Sequence, residues 1–534
     1  MSQVETKRIQ IEYLSDMIGM VIIWLFFSKI GYSGIAYITV VLELYLFLWS
    51  LTGAGISDSL GKVLRSRNSK GQYFNASRLR KNTLIAQGAF GALGGLILLV
   101  FSKPLANHIL GLPYCSLLLC LIAPAVFLRT ISSVLLGYFQ GEGTELCGCI
   151  ACILRQLFIL GFGFLFLGIF GSYGEKISRL LMQNQVVAMY DSAGIVLSIS
   201  MAELLIVLFL VLLYQLSKRV KKRKYSENTK IRESFLYSLQ MIYHNMGNKV
   251  IVWILVFLPY LINMIVYMKS TEDTQMAVSS YGSYAISYLA VCGFVVMPVF
   301  AMLTPVFGKI TGCMRKGEHR LARTVFQAGF HMSAIWALFL SAFLGSISEL
   351  VTGVFVKTHE DSNINMLKAG SFIILFIVLG FYFTKLLLIT GKWKAIVGSL
   401  GIYMILFLLS NSLMLHLGKA GIMSLVYSGV ISHGIYALTL GFITFRQLRC
   451  GFKTVYLLAI PVIGASITGI LSLLLGKLLI PHLTYGAAIV ICAMIALICY
   501  FAILLLMRNI KEQELEHIPG GKLLFKLGEV LRVF

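Results

Sequence analysis

The sequence predicts an all-α membrane protein of about 14 transmembrane helices. They form two pseudo-symmetric six-helix halves followed by two C-terminal helices. Three observations predict this: a composition too apolar for a water-facing surface, apolar runs of spanning length, and a loop pattern that recurs in the second half. Of the 534 residues, 58% are hydrophobic and only 13% are charged; soluble domains carry roughly 25% charged residues. The mean hydropathy is +0.86. Such a chain can neither cover a soluble surface with polar groups nor stay disordered.

A span needs about 20 apolar residues. Taken in order, the apolar segments are 13–28, 34–57, 83–102, 114–138, 147–170, 191–216, 234–267, 278–308, 324–345, 366–389, 395–415, 420–445, 454–476 and 484–507. The first is the least apolar, because Glu12 and Asp16 crowd its start. No small-residue cleavage site follows it, so it is expected to serve as an uncleaved insertion signal. The connecting loops are short. The expected divisions are an N-terminal half over 1–225, a C-terminal half over 226–450 and an appendage over 451–534.

The net charge is +23, from 45 Lys and Arg against 22 Asp and Glu. In a soluble protein this excess points to nucleic acid; here position decides. Fourteen spans put both termini on one side. Of the 45 basic residues, 32 fall in loops on that side and 8 on the other. This asymmetry is the positive-inside pattern, and it predicts cytoplasmic termini. The densest cluster, Lys218 to Lys224, is read as a topology anchor touching anionic lipid. Nucleic acid is not an expected partner.

Two features recur. Gly61-Lys62 leads to Lys70-Gly71-Gln72 and Ala76, as Gly308-Lys309 leads to Lys316-Gly317-Glu318 and Ala322. The span ending in Leu136-Gly137-Tyr138-Phe139-Gln140-Gly141 pairs with the one ending in Leu386-Leu387-Leu388-Ile389-Thr390-Gly391. Order, spacing and sidedness agree, which predicts parallel repeats, an architecture of transporters.

Ionisable residues inside spans are costly and usually functional. The cationic ones are Arg129, Arg155, Lys249, Lys368 and Lys385; the acidic ones are Glu43 and Glu203, with Asp191 near a boundary. Two readings stand. A cavity lined by Arg and Lys would attract an anionic headgroup such as a pyrophosphate, since the guanidinium fork binds phosphate oxygens bidentately. Alternatively, Arg129 or Arg155 pairs internally with Glu43 or Glu203. His244 and His433 are expected in packing roles. Pro124, Pro259, Pro298, Pro305 and Pro461 mark interrupted helices, and Pro298 with Pro305 in one long span are the expected hinge. Cys147, Cys149 and Cys152 read as a small-residue helix face rather than a metal site. No nucleotide-binding loop, metalloprotease or hydrolase motif is present, because Gly469 to Gly476-Lys477 has the wrong spacing. Neither an enzyme nor a cofactor is expected.

The chain resembles the multidrug/oligosaccharidyl-lipid/polysaccharide exporter superfamily in layout. Within it, Leu136 to Gly141 is similar to the G-Y-F-Q-G signature of the polysaccharide transporters related to stage V sporulation protein B. Arg155 matches a basic residue in the following span of that group, and Gly55-Ile56 leading into the basic loop matches its second-span motif. The resemblance implies a flippase of the cell membrane that moves a lipid-linked oligosaccharide by alternating access. Its partners would be an anionic polyprenyl-(pyro)phosphate-linked glycan, membrane lipids and glycan-synthesis enzymes. Arg129, Arg155, Lys249, Lys385, Tyr138 and Gln140 are the expected substrate-binding residues, and Glu43 and Glu203 the expected ion-coupling or ion-pairing ones. Lipid II flippases of the superfamily carry arginines in the first, second and eighth spans. Here those spans offer Lys29, Glu43 and no basic residue before Lys309, so the cationic side chains move to the fourth and fifth. The alternatives are a drug or cation antiporter of the same superfamily and a membrane-embedded glycan enzyme.

Overall fold

The computed structural model describes residues 3–183, 185–221, 233–355, 361–448 and 455–510, with Phe525. Every regular element among them is a helix. Twelve helices are long and apolar enough to cross a membrane, or thirteen with the pair Asp361–Gly370 and Ile373–Ile389, which bends by 41°. The opening helix, Gln3–Thr52, has 50 residues. At 1.5 Å per residue that is about 75 Å, more than twice a hydrocarbon core. It breaks at Gly31, whose φ of 63° and ψ of −174° are non-helical. Divided there, it supplies the first two spans, and the expected fourteen are recovered.

Several boundaries differ from expectation for one reason: polar residues turned inward extend helices that hydropathy alone cuts short. The first helix begins at Gln3, so Arg8 is helical and buried, with Nη1 3.0 Å from Glu12 Oε1. The expectation that the first span offers only Lys29 as a cation is therefore corrected. The third span, Tyr73–Val100, starts ahead of residue 83 because Asn75, Asn82 and Gln87 are buried within it. Gln87 donates to the Tyr243 hydroxyl at 3.0 Å. The basic loop after the second span is itself a helix, Ile56–Ser69. Ile56, Leu60 and Leu64 line its buried face and pack on Leu79, Val134, Leu135, Ile206 and Ile242.

The two repeats appear as matching backbone turns. At one pair, Gly71 N–H bonds the Asn68 carbonyl and Gln72 N–H that of Arg67. Gly317 and Glu318 bond Met314 and Cys313 in the same pattern. Each turn is followed by a helix of 28 residues, Tyr73–Val100 and His319–Ser346. The second pair aligns Gly143 with Gly391, both at positive φ. Gly143 N–H bonds Gln140 and Thr144 N–H bonds Phe139, as Gly391 bonds Leu388 and Lys392 bonds Leu387. The register expected from sequence, Gly141 with Gly391, is thus two residues out.

Packing divides the chain into two compact units, one of Leu25–Gly282 and one of Met1–Trp24 with Ser283–Phe534. This division is not the sequence repeat. The opening helix of each half joins the other half's unit: residues up to Trp24 pack with the second, and Phe235–Ser270 with the first. Trp24 Nε1, for example, donates to the Ile286 carbonyl at 3.2 Å. The last two spans, Ile460–Leu479 and Tyr485–Leu506, pack on His319–Ser346 through Ile335, Phe339, Ala465 and Tyr500. Lys222, Arg223 and Lys224 of the basic cluster lie outside the described residues, as does most of the C-terminal tail.

Pro298 and Pro305 both lie inside one helix, Ala290–Arg315, which follows a π-helical turn at Tyr284–Leu289. A proline lacks the N–H that would bond the carbonyl four residues back. For Pro305 that carbonyl belongs to Ala301, and Gln10 of the opening helix supplies the missing donor through Nε2 at 3.0 Å. Gln10→Leu keeps the volume and removes the donor. It is expected to destabilise the protein by about 1 kcal/mol, read as a lower thermal midpoint in detergent. Restoring the helical N–H by Pro305→Ala is expected to shrink that cost in a double-mutant cycle.

Candidate functional site

The polar centre of the Leu25–Gly282 unit is a three-residue ion cluster. Arg129 sits midway along Cys115–Gly141, Arg155 lies in Leu146–Leu181 and Glu203 is midway along Gln185–Lys221. Arg129 Nη1 is 2.9 Å from Glu203 Oε1. Arg155 Nε is 2.8 Å from the same oxygen, and its Nη2 reaches Oε2 at 3.5 Å. One carboxylate therefore holds two guanidinium groups. The Glu203 side chain is 2% exposed, Arg155 11% and Arg129 28%.

Those exposures separate two roles. An unpaired arginine at the bilayer centre costs at least about 2.5–3.5 kcal/mol. Glu203 offsets much of that cost for Arg155, accepting a hydrogen bond from its Nη2 with Nε close by. The cluster still carries one formal positive charge, two guanidinium groups against one carboxylate. Arg129 holds the accessible part, and its guanidinium carbon lies 5.6 Å from the centre of the Trp49 ring. The arrangement is internal pairing, with Glu203 rather than Glu43 as the partner of both arginines. Trp49 was not anticipated; an aromatic residue one span away from an intramembrane arginine leaves no mark in sequence spacing.

The other expected residues go elsewhere. Lys249 Nζ is 3.2 Å from Asp58 Oδ2, at the start of Ile56–Ser69. Lys385 belongs to the other unit, with its ammonium 5.3 Å from the Phe381 ring centre. Glu43 meets neither arginine: its Oε1 accepts from the Tyr281 hydroxyl at 2.5 Å, while Oε2 is buried without a hydrogen bond. Lys368 is exposed in the short helix Asp361–Gly370. His433 Nδ1 lies 2.8 Å from the Gly429 carbonyl oxygen and packs on Tyr403, whereas His244 is exposed. Cys147, Cys149 and Cys152 share the start of one helix. No group of three metal-ligating side chains occurs among the described residues.

The G-Y-F-Q-G segment is a packing motif in this structure. A Cβ on Gly137 would sit 2.9 Å from the Ser57 carbonyl oxygen, and one on Gly141 only 2.5 Å from Leu64 Cβ. Glycine at both positions lets Ile56–Ser69 lie directly against the end of Cys115–Gly141. Tyr138 and Gln140 are buried there. Arg80 lies over the Tyr138 ring, and Arg65 donates to the Gln140 carbonyl at 2.9 Å and to Glu145 at 3.0 Å. The motif fixes the lower end of the helix whose middle carries Arg129.

The fold is shared with solved membrane transporters of the multidrug/oligosaccharidyl-lipid/polysaccharide superfamily. An inward-facing multidrug resistance MATE family transporter of that superfamily superposes with a TM-score of 0.59 at 11% identity, over 82% of this chain and 95% of the other. A superfamily transporter from Pyrococcus furiosus, described as having a binding pocket of reverse polarity, gives 0.53 at 14%, over 84% and 97%. In sequence, the chain is 24% identical over 211 residues to stage V sporulation protein B of Bacillus subtilis, covering 40% of this chain and 36% of that protein. It matches no protein-family profile.

Removing Glu203 leaves two uncompensated arginines, whereas removing Arg155 leaves the Arg129–Glu203 pair intact. Glu203→Ala is expected to cost about 3–5 kcal/mol, and Arg155→Ala clearly less. Thermal unfolding of the two variants in one detergent checks the order.

Proposed function

We propose that this chain is a flippase that exports a lipid-linked oligosaccharide or polysaccharide precursor across the cytoplasmic membrane by alternating access. The observation that carries the reading is the Arg129–Glu203–Arg155 cluster, an intramembrane site with one net positive charge and its outer arginine accessible. A partly exposed guanidinium at that depth needs water or an anion beside it rather than lipid tails. Its planar fork suits a phosphate or pyrophosphate oxygen pair. Likeness to stage V sporulation protein B supports the same class of cargo. Both termini lie in the cytoplasm in this reading, because the basic loops follow the positive-inside pattern. Translocation makes and breaks no covalent bond, so the chain acts as a transporter and not as an enzyme. Enzymes of glycan synthesis would supply the cargo.

A second reading, a drug or cation antiporter, is favoured by one observation: the unpartnered Oε2 of Glu43 beside Tyr281. A cationic drug would then bind near a carboxylate, whereas Arg129 repels it.

Proteoliposomes loaded with a fluorescent undecaprenyl-pyrophosphate-linked sugar separate the two. Arg129→Ala is expected to slow headgroup translocation at least about tenfold, the equivalent of one lost charge-assisted contact. Arg129→Lys is expected to recover only part, because the bidentate fork is gone. Unchanged translocation in Arg129→Ala overturns the proposal, and Glu43-dependent efflux of a cation favours the antiporter.

A further inference from the structure

Arg129 adjoins a cluster of aromatic side chains that begins with Trp49. Trp49, from the opening helix, lies under its guanidinium. The Trp49 and Trp253 rings have centres 6.1 Å apart and planes inclined at 64°. Phe257, one turn beyond Trp253 in Phe235–Ser270, stacks behind it at 5.5 Å and 12°. The Trp253 side chain remains 40% exposed. The Trp49 ring edge packs over Gly53, where an added Cβ would come within 2.5 Å of Nε1. All these residues belong to the Leu25–Gly282 unit.

Resting on the flippase reading, we infer that this corner is a sugar subsite, in which the ring nearest the pyrophosphate stacks on Trp253 and Trp49 while Arg129 holds the phosphate. Three arguments converge. The two indoles meet edge to face, and the exposed part of Trp253 offers a flat apolar surface that matches the apolar C–H face of a pyranose ring. The indoles are rigid, one stacked on Phe257 and the other packed over Gly53, so little side-chain entropy is lost on binding. An aromatic corner also suits an organic cation, but the net positive cluster beside Trp49 opposes one, so charge complementarity selects an anionic lipid whose next group is neutral. The subsite reads the first sugar and ignores the rest of the glycan, which suits an exporter that tolerates long cargo.

The test measures binding of two probes to the purified full-length protein in detergent. One is undecaprenyl pyrophosphate without sugar; the other is the same lipid carrying a single N-acetylglucosamine. The unaltered protein is expected to prefer the sugar-bearing lipid, and Trp253→Ala to reduce that preference by about five- to twentyfold, in the range of one lost aromatic stack. Trp253→Phe keeps a flat ring and is expected to restore most of it, which also guards against a folding defect. A preference that survives Trp253→Ala, or that is absent in the unaltered protein while the bare lipid still binds, overturns the sugar subsite alone. Failure of the unaltered protein to bind either lipid overturns the flippase reading as well. Tight, Trp253-dependent binding of tetraphenylphosphonium would assign the corner to cations and likewise overturn it.

Discussion

One buried carboxylate holding two arginines organises the Leu25–Gly282 unit. Glu203 makes it possible to place Arg155 and Arg129 in the middle of spanning helices, where either alone would oppose insertion. Two close contacts to one oxygen fix three helices relative to one another. Their charges do not cancel, so the same contact that stabilises the unit leaves it electropositive at its centre. Ion pairs buried in proteins are weak evidence of stability on their own. This one is unequal: Arg155 is the better-buried arginine, and Arg129 keeps more of its side chain exposed.

In both units irregular backbone occurs where a neighbouring helix supplies a partner. Pro305 frees a carbonyl, and Gln10 from another helix takes it up. Near Pro124, in the helix of Arg129, Ser200 donates to the Leu121 carbonyl at 2.5 Å, beside the Cys120 carbonyl that the proline leaves without its helical donor. In hydrocarbon each unsatisfied backbone group is expensive, so helices break only where a neighbour supplies a partner. The tight join at Gly137 and Gly141 serves the same end, since it anchors the helix that carries Arg129 on a short amphipathic helix outside the spans.

Much of this was legible in the sequence. Apolar length revealed the spans. Turn chemistry revealed the first repeat pair, because positive φ demands glycine at Gly71 and Gly317, whereas at the second pair the sequence suggested Gly141 where the turn uses Gly143 opposite Gly391. Arg129, Arg155 and Glu203 stood out as charges inside apolar runs. Sequence did not reveal that both arginines choose Glu203 over Glu43, since which helix face turns inward depends on packing. Nor did it reveal that Tyr138 and Gln140 are buried, because a motif looks the same whether it binds or packs. The boundaries at Gln3 and Tyr73 were missed because inward-facing polar residues lower hydropathy without ending a helix. Trp49 and Trp253 are distant in sequence, and only the fold brings them to Arg129.

In the proposed flippase the one positive charge left on Arg129 is what holds the anionic headgroup. Titrating undecaprenyl pyrophosphate into two purified variants tests it directly. Arg155→Gln combined with Glu203→Gln keeps Arg129 and the net charge, and is expected to bind within about threefold of the unaltered protein. Arg129→Gln leaves only the neutral Arg155–Glu203 pair and is expected to bind at least about tenfold more weakly, roughly 1.4 kcal/mol. Equal affinity in the two variants would contradict the account.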